Sequence, residues 1–575
     1  MKFNNCWSYT IFFLLPCFCS AQSFVGAGKA VDPYQLNIVK EQQYSSGAVV
    51  SAHPIASRVG AEVLKMGGNA IDAGIATQLA LAVVYPGAGN IGGGGFLVAK
   101  MKGAKAIALD YRETAPGKSG RDMYLDANGR AQTDLSQNGH LASGVPGTVA
   151  GLFASMKWAK LPFKTLIAPA ILLAENGFCL TAGEAEKLND RAGSFKKYNT
   201  VLPVFVQKRW KKGDTLFQKD LAKTLRRISD KGSAGFYEGE TARLIVAEMQ
   251  RGKGVITLND LKSYRAKERP ALIFNYKGHE VITMPPPSSG GVLLMQMLKM
   301  VEKRPLAGYG FQTAKSVQLM TEVERRAYAD RAEHLGDPDF WKVPVSTITS
   351  DRYLAKRMLD YDSTKAGSSA AIGAGTVESL ETTHISIMDR WGNMVSITTT
   401  LNGTFGSKTV VGGAGFLLNN EMDDFSLKPG VPNMYGAVGG EANAIAPRKR
   451  MLSSMSPTIL LKNGEPYVVV GTPGGTTIPT SVFQTIINLV DFKMSPADAV
   501  NKPKFHHQWL PDELQVEEGF SPEVRKTLEQ MGYTVKTYGV TGYASTIGRV
   551  ELILYDKGKL VAVGDYRGDD SVSGY

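Results

Sequence analysis

The sequence has little cysteine, and most of it lies at one end. Of the four cysteines in 575 residues, Cys6, Cys17 and Cys19 fall within the first 20 positions. If that segment is removed, Cys179 is left alone and no internal disulfide can form. A disulfide-stapled secreted scaffold is therefore excluded. The fold must be held by a buried apolar core, and a chain of this length can supply one.

Long apolar runs are also missing. The N-terminal run Tyr9–Phe18 has ten residues, short of the ~18 to 20 that a membrane-spanning helix needs. It follows Lys2 and precedes the small residues Ser20 and Ala21, a layout typical of a secretory signal peptide. The sequence therefore predicts a signal peptide over residues 1–20. Export without disulfides fits a bacterial periplasm, with secretion into the medium as an alternative.

A lipid anchor is a second alternative for this N-terminal segment, because Cys17 or Cys19 could carry it. The residues before them are Pro16 and Phe18. Neither is the small residue that we expect before a lipid-modified cysteine, so the signal peptide is favoured.

Metal and nucleic-acid motifs are missing as well. No D-x-D-x-D-G loop and no histidine pair at metal-ligand spacing is present. The net charge of +12 comes from the chain before residue 382. Residues 382–575 carry 17 basic and 19 acidic side chains and are slightly negative. Much of the excess is in residues 187–231. Without a recognition motif, this charge favours a solvated face that attracts anionic ligands over a nucleic-acid groove. No metal, cofactor or nucleic-acid partner is predicted.

Glycine, by contrast, is abundant, with 62 residues. Apolar spacing predicts two helices within residues 55–84, separated at Gly67. The next segment, GAGNIGGGGF, matches a dinucleotide-binding fingerprint at 87–92, yet it follows a helix and leads into a strand. Because that fingerprint should follow a strand and open a helix, we interpret the segment as close backbone packing.

The character of the chain changes near residue 382. Residues 215–250 and 314–336 have helical spacing, and residues 361–381 have the small, polar composition of a flexible linker. After the linker come short runs of alternating β type, separated by turns. A boundary is therefore predicted at the end of the linker.

Two threonines meet at this boundary. The runs 382–388 and 394–400 flank the hairpin loop DRWGN. Pairing them about Trp391 sets Thr382 opposite Thr400, with Cβ atoms roughly 5 Å apart. Strand propensity explains most threonines here, but two facing hydroxyls at a linker junction are also candidate catalytic groups.

Acidic side chains are concentrated in NNEMDDF, residues 419–425. Glu421, Asp423 and Asp424 occupy three of four consecutive positions. Such density costs self-repulsion unless a cation is near, so a metal site and an ammonium pocket are the functional options. A solvated acidic turn is the structural alternative, and composition alone favours it.

Two further segments keep more than one interpretation. Ser453 and Ser454 follow three basic residues, without the S-x-x-K spacing of a β-lactamase serine. The segment YVVVGTPGGTTIP runs from a strand through Gly474 and Gly475 into a helix. Backbone N–H groups at such a turn can bind a phosphate or a developing oxyanion, but a plain tight turn gives the same sequence.

Nine motifs occur together along the chain. They are GGNAIDA at 67, GNIGGGGF at 89, LDYRETAP at 109, TTHIS at 382, TLNGTFG at 400, NNEMDDF at 419, MLSSMSPT at 451, GTPGG at 471 and the closing GDYRGDDSVSGY. In this order they resemble the γ-glutamyltranspeptidase family of N-terminal nucleophile hydrolases. The resemblance covers nearly the whole exported chain.

The resemblance implies a fold and a processing event. The fold would be α+β, an αββα sandwich of two stacked antiparallel sheets. The chain would cut itself between Glu381 and Thr382, giving a large subunit of residues 21–381 and a small subunit of residues 382–575 around one shared catalytic core. Thr382 would be the nucleophile, and its freed α-amino group, with a reference pKa of about 7.7 to 8.0, would be its base.

The resemblance also implies a reaction. Thr382 would attack the γ-glutamyl carbonyl of glutathione or a related donor and pass the acyl group to water, an amino acid or a peptide. Thr400 would hydrogen-bond Thr382, and Gly474 and Gly475 would supply the oxyanion-hole N–H groups. No cofactor is implied.

The remaining implied roles concern the substrate's own charges. The planar guanidinium of Arg112 would pair with the planar α-carboxylate of the substrate. Ser453 and Ser454 would also help to bind this carboxylate. The α-ammonium would be held by Asn402, Glu421 and Asp424. Residues 429–443 resemble a lid loop of the family, with Tyr435 as its gate.

Two rivals stay open. A glutaryl-type cephalosporin acylase belongs to the same superfamily, but its acyl group has no α-amino group, so Glu421 and Asp424 favour a glutamyl substrate. A non-catalytic amino-acid binding paralogue is the other rival. The presence of every motif residue argues against it.

Overall fold

The computed structural model describes residues 31–372, 381–428, 440–539 and 546–575. The predicted signal peptide and Tyr435 lie outside the described residues. Within those ranges the strands are β1 (Glu41–Tyr44), β2 (Ala48–Ser51), β3 (Gly94–Lys100), β4 (Ala106–Asp110), β5 (Phe178–Cys179), β6 (Thr215–Leu216), β7 (Lys267–Arg269), β8 (Leu272–Tyr276), β9 (His279–Thr283), β10 (Glu381–Met388), β11 (Met394–Asn402), β12 (Thr458–Lys462), β13 (Glu465–Gly471), β14 (Phe505–His506), β15 (Leu514–Val516), β16 (Val535–Thr537), β17 (Glu551–Asp556), β18 (Lys559–Gly564) and β19 (Ser571–Gly574).

The helices surround these strands. They are α1 (Pro54–Lys65), α2 (Ala70–Val84), α3 (Thr133–Gln137), α4 (Thr148–Ser155), α5 (Phe163–Asn176), α6 (Ala182–Asp190), α7 (Ala192–Tyr198), α8 (Lys219–Lys231), α9 (Ala234–Tyr237), α10 (Gly239–Arg251), α11 (Leu258–Ser263), α12 (Gly290–Glu302), α13 (Leu306–Tyr309), α14 (Ala314–His334), α15 (Val345–Ile348), α16 (Asp351–Arg357), α17 (Ser369–Ile372), α18 (Thr477–Val490), α19 (Pro496–Asn501) and α20 (Pro522–Gln530). Among the described residues, none of the helices combines the length and the apolar content that a bilayer crossing requires.

Two seven-stranded antiparallel sheets form the centre. Their strand orders are β1-β18-β17-β13-β12-β9-β8 and β19-β2-β10-β11-β3-β4-β7. The two sheets share one apolar core, in which Val98 and Met388 of the second sheet lie in the same cluster as Val281 and Val469 of the first. Helices α12, α14 and α18 extend this core over the outside of the first sheet, and α1, α2 and α5 cover the second. The predicted αββα sandwich is confirmed.

Both sheets combine strands from before and after Thr382. In the second sheet, β10 and β11 lie between β2 on one side and β3 on the other. In the first, β9 pairs with β12, and β1 pairs with β18. The chain before Thr382 and the chain after it therefore build one core together.

The glycine-rich segment after α2 packs backbone against backbone, as predicted. A Cβ atom on Gly93 would lie 2.0 Å from the carbonyl oxygen of Thr400, and one on Gly89 would lie 2.2 Å from that of Leu81. These distances are far below van der Waals contact. Glycine is required because it lets the loop approach strand β11 beside Thr400.

The segment predicted as a flexible linker differs from that expectation in its first half. Residues 369–372 form the short helix α17, and the backbone N–H of Ser369 donates to Asp512 Oδ2 at 2.8 Å. Trp509 Nε1 donates to the carbonyl oxygen of Ser369 at 2.7 Å. Composition suggests a tether here, but side chains from the C-terminal part of the chain hold the backbone. Residues 373–380 lie outside the described ranges.

Candidate active site

The hairpin β10–β11 brings two threonine hydroxyls together. Thr382 pairs with Thr400, as the loop centre at Trp391 predicts. The register shifts at the preceding step, because Glu381 pairs with Asn402 and Leu401 becomes an extra residue. This β-bulge lies at the predicted cut. Bulges of this kind re-aim side chains and are over-represented next to active sites.

The glycine turn after β13 faces Thr382. The backbone N–H of Gly474 donates to Thr382 Oγ1 at 3.1 Å. Gly474 and Gly475 have φ angles of 137° and 57°, and a Cβ atom on Gly474 would lie 2.4 Å from Thr477 Oγ1. Only glycine fits the first position without displacing the start of α18. The turn therefore offers a backbone donor to the oxygen that would attack a substrate.

A small cavity lies beside Thr382. Of the described residues predicted for catalysis or substrate binding, all but Gly474 line it. The lining consists of Arg112, Thr382, Thr400, Asn402, Glu421, Asp424, Ser453, Ser454, Met455, Gly475 and Ile478. These residues come from segments that are up to about 370 positions apart in sequence, so the fold has gathered one polar pocket.

The charged residues of the pocket pair with each other. Arg112 Nη1 lies 2.5 Å from Glu421 Oε2, and Arg112 Nη2 donates to Asp424 Oδ2. Arg112 also donates to the carbonyl oxygens of Met451 and Leu452. From sequence, Arg112 and the acidic pair are predicted to bind opposite charges of a substrate, and their direct pairing with each other is not predicted. Buried charges need partners, and in this pocket the arginine and the two carboxylates pair with one another.

The third acidic residue of the turn points elsewhere. Glu421–Asp424 is a 3₁₀ helix, and Asp423 accepts a hydrogen bond from Ser136 Oγ outside the pocket. Across the described ranges, no group of three or more His, Cys, Asp or Glu side chains is arranged to hold a metal ion. The acidic turn thus divides its side chains between the pocket and a structural contact.

Sequence reasoning missed Glu113, the neighbour of Arg112. It is fully buried, and Glu113 Oε2 lies 3.7 Å from Arg112 Nη1. Burial raises the pKa of this carboxyl to about 8, although Arg112 opposes that shift. Its place within LDYRETAP is the only signal the sequence carries. Glu113 is a third carboxyl group close to the guanidinium.

This raised pKa predicts a pH-dependent cost in stability. Below pH 4.5 the carboxyl is protonated in the folded and unfolded chains, whereas between 4.5 and about 8 only the unfolded chain releases the proton. The free energy of unfolding therefore falls as pH rises through this window. We expect Glu113→Gln to gain at least ~2 °C in melting temperature relative to the parent between pH 5 and pH 9. A difference that is constant across this range would contradict the assignment.

Two more residues that were not predicted from sequence form hydrogen bonds that hold Ser453 and Ser454 in place. Arg331, on α14, donates through Nη2 to Ser454 Oγ at 3.3 Å and through Nε to Ser289 Oγ at 2.9 Å. Ser289 Oγ in turn donates to the carbonyl oxygen of Ser453 at 2.7 Å. The helical spacing of residues 314–336 predicts a helix but does not reveal a buried arginine aimed at the pocket. These contacts fix the wall that Ser453 and Ser454 form.

Comparison with known proteins adds the family context. A sequence model of the gamma-glutamyltranspeptidase family matches residues 56–575. A glutathione hydrolase proenzyme of Escherichia coli (strain K12) is 46% identical over 545 residues, covering 92% of each chain. Cephalosporin acylase from Bacillus halodurans superimposes with a TM-score of 0.81 at 26% identity, covering 94% of this chain and 98% of its own. Helicobacter pylori gamma-glutamyltranspeptidase gives 0.55 at 41% identity, covering 59% and 95%.

Proposed function

This chain belongs to the γ-glutamyltranspeptidase family, and from that premise we propose that it is a self-processing γ-glutamyl hydrolase and transferase. Its donors would be glutathione and related γ-glutamyl compounds, and its acceptors water, amino acids or peptides. One observation carries the proposal. Thr382 Oγ1 accepts a hydrogen bond from the Gly474 N–H at the edge of a pocket that contains both an arginine and a buried carboxylate pair.

Maturation begins at the β-bulge. Thr382 Oγ1 attacks the carbonyl carbon of Glu381, the C–N bond between the two residues breaks, and an ester to Oγ1 replaces it. Water then cleaves the ester, leaving a carboxylate on Glu381 and a free α-amino group and hydroxyl on Thr382. The irregular register at this bond supports the proposal, because the attacking hydroxyl and the carbonyl before it need a backbone that departs from regular strand geometry.

Catalysis repeats the same attack on a γ-glutamyl amide. The freed α-amino group accepts the proton of the Thr382 hydroxyl, Oγ1 bonds to the γ-carbonyl carbon, and the oxyanion receives the N–H groups of Gly474 and Gly475. The ammonium then returns the proton to the leaving amine as the C–N bond breaks. Thr400 holds the Thr382 hydroxyl in position. Water or an acceptor amine finally takes the acyl group from the ester.

Substrate recognition exchanges one set of ion pairs for another. The substrate's α-carboxylate takes the guanidinium of Arg112, with Ser453 and Ser454 as hydrogen-bond donors. Its α-ammonium takes Asn402, Glu421 and Asp424. A zwitterion adds no net charge to the buried site, so each ion pair that it separates is replaced.

Two further parts of the proposal concern residues outside the described ranges. We infer that residues 1–20 direct export to the periplasm, and that Tyr435 gates the pocket from the loop 429–443. Of that loop, the structure describes residues 440–443, where Arg121 Nη2 lies 2.8 Å from Glu441 Oε1.

Cephalosporin-acylase activity is the second candidate, because a protein of that name shares the fold closely. The buried pair Glu421 and Asp424 favours the glutamyl substrate over it. A glutaryl group offers a carboxylate to Arg112 but no cation to these two acids.

Mass spectrometry of the purified protein, combined with assay of a γ-glutamyl anilide, tests the proposed function. We expect two fragments, one beginning near residue 21 and one at Thr382, together with release of the aniline. A single uncut chain without anilide hydrolysis would contradict the proposal. If the second fragment began at a different residue, the nucleophile would have to be assigned to that residue and not to Thr382.

A further inference from the structure

One surface segment of the chain combines basic side chains with exposed apolar ones. This basic segment is residues 201–219, which contain five basic residues and a single acid, Asp214. It lies within the stretch 187–231 that carries much of the positive charge of the sequence. None of its residues lines the pocket beside Thr382, so the proposed function leaves it unexplained.

Three buried side chains hold the basic segment against the helices that cover the second sheet. Phe205, Trp210 and Leu216 belong to the same apolar cluster as residues of α2 and α5. Trp210 Nε1 donates to the carbonyl oxygen of Phe205 at 2.7 Å, which closes the chain between them into a turn. Further along, the backbone N–H of Leu180 donates to the carbonyl oxygen of Asp214 at 2.9 Å. The residues between these anchors therefore lie on one fixed stretch of the surface.

The exposed apolar side chains of the basic segment lie towards its two ends. Val201, Leu202 and Phe217 are 51%, 63% and 46% exposed. Val201 and Leu202 also line an apolar groove together with residues 203–205 and 410–411. Exposed apolar groups that continue into a groove indicate an interaction surface, because a partner that covers them removes apolar area from water.

The basic side chains lie between these ends. Arg209, Lys211 and Lys212 are exposed, and none of them is within ion-pair distance of a carboxylate in the part of the chain that the structure describes. Asp214 is already paired with Lys208, at 2.9 Å. The basic segment therefore presents positive charge that has no counter-charge of its own, and it complements an anionic partner.

We propose that the basic segment docks on a bilayer surface that carries anionic headgroups. Arg209, Lys211 and Lys212 meet the headgroups, while Leu202 and Phe217 enter the boundary between the headgroups and the acyl chains. This docking is independent of the γ-glutamyl reaction.

The kind of cation favours a bilayer over an acidic protein. The basic segment contains four lysines and one arginine. A lysine ammonium is a point charge on a flexible stem and suits a diffuse layer of headgroups, whereas paired recognition of single carboxylates is the role that arginine fills best. The exposed apolar side chains at both ends then add contacts that a purely electrostatic attraction lacks.

Co-sedimentation of the purified protein with lipid vesicles tests the docking. Vesicles of phosphatidylcholine alone are compared with vesicles in which roughly a third of the lipid is phosphatidylglycerol. We expect the partition coefficient to be at least about tenfold higher on the anionic vesicles. Raising the salt concentration from about 0.1 M to about 1 M should remove most of this difference, because it shortens the range of the charges from ~10 Å to ~3 Å.

Two double variants separate the two kinds of contact. Lys211→Gln with Lys212→Gln removes two charges and should lower the partition coefficient on anionic vesicles at least about fivefold. Leu202→Ser with Phe217→Ser keeps every charge and should lower it by a similar factor on the same vesicles. All four side chains are exposed, and the melting temperature of each variant reports whether it is folded.

Matched controls remove the same groups elsewhere on the surface. Lys557→Gln with Lys559→Gln removes two exposed lysines at the turn between β17 and β18, in the first sheet. Leu359→Ser removes a leucine that is 81% exposed. Both control proteins should bind anionic vesicles as the parent protein does.

Several results would overturn the docking proposal. They are equal binding to the two kinds of vesicle, no binding to either, and losses in the control proteins as large as those in the double variants. Binding of polyglutamate without binding of anionic vesicles would also overturn it and would assign the basic segment to an acidic protein partner. Because vesicle binding is measured without a donor substrate, failure of the proposed function leaves this test unaffected.

Discussion

Thr382→Ala is expected to leave a single uncut chain without γ-glutamyl hydrolase activity. Among the described residues, only Thr382 has a hydroxyl that lies at the β-bulge, accepts the Gly474 N–H and lines the pocket. Removing it deletes the attacking atom of both maturation and turnover, for which neither water nor Thr400 substitutes. We expect anilide hydrolysis to fall by at least roughly 10⁴-fold. Denaturing gels and the anilide rate measure the two losses.

Two further variants test whether the hydroxyl of Thr382 itself is the nucleophile. Thr383→Ala removes the next hydroxyl, which is fully buried and has no hydrogen-bond partner among the described residues, and it should still be cut. Thr382→Ser keeps a hydroxyl and should restore part of the processing. Efficient cutting of Thr382→Ala, or failure of Thr383→Ala alone, would remove Thr382 from the role of nucleophile.

A γ-glutamyl anilide is expected to exceed the matching glutaryl anilide by roughly a hundredfold or more in kcat/KM. The two donors differ only in the α-amino group. In the structure Arg112 pairs with Glu421 and Asp424, and Glu113 lies close by. A glutaryl carboxylate that draws Arg112 away leaves these buried acids without a cation, whereas a glutamyl group brings an ammonium to replace it.

Removing one acid should reduce the difference in kcat/KM between the γ-glutamyl and the glutaryl anilide. Asp424→Asn weakens the glutamyl reaction more than the glutaryl reaction, because it lowers the negative charge that faces the ammonium. Asp423→Asn is the matched control on the same turn, since its side chain contacts Ser136 outside the pocket. Equal rates of the parent protein on the two anilides would instead favour the acylase alternative.

Local patterns predicted the hairpin and several helices, whereas the αββα sandwich was implied only by the resemblance to the family. The glycine and asparagine of the loop DRWGN define the hairpin centre, and from that centre the register of Thr382 with Thr400 follows by counting. Apolar spacing likewise predicts α1, α2 and α14. The packed start of the linker could not be predicted, because Ser369 is held by Asp512 and Trp509 from more than 130 positions away.

The motifs predicted which residues line the pocket, but not the ion pairs and hydrogen bonds between them. The motifs identify Arg112, Glu421 and Asp424, yet no local feature tells that the three pair directly across some 310 positions of sequence. Arg331 and Ser289 were missed for a related reason. Helical periodicity registers which face of a helix is apolar, and a single buried arginine on such a face leaves the pattern intact.

The mixing of strands from either side of Thr382 in both sheets determines what kind of molecule the proposed cut would produce. Because β10 and β11 are flanked by β2 and β3, the two fragments would have no separate cores and could not part without unfolding. Refolding is a first-order process for the precursor but would become second order, and so dependent on concentration, if the chain is cut. The cut protein would then be preserved in dilute solution by the height of its unfolding barrier, and its lifetime would be a kinetic property.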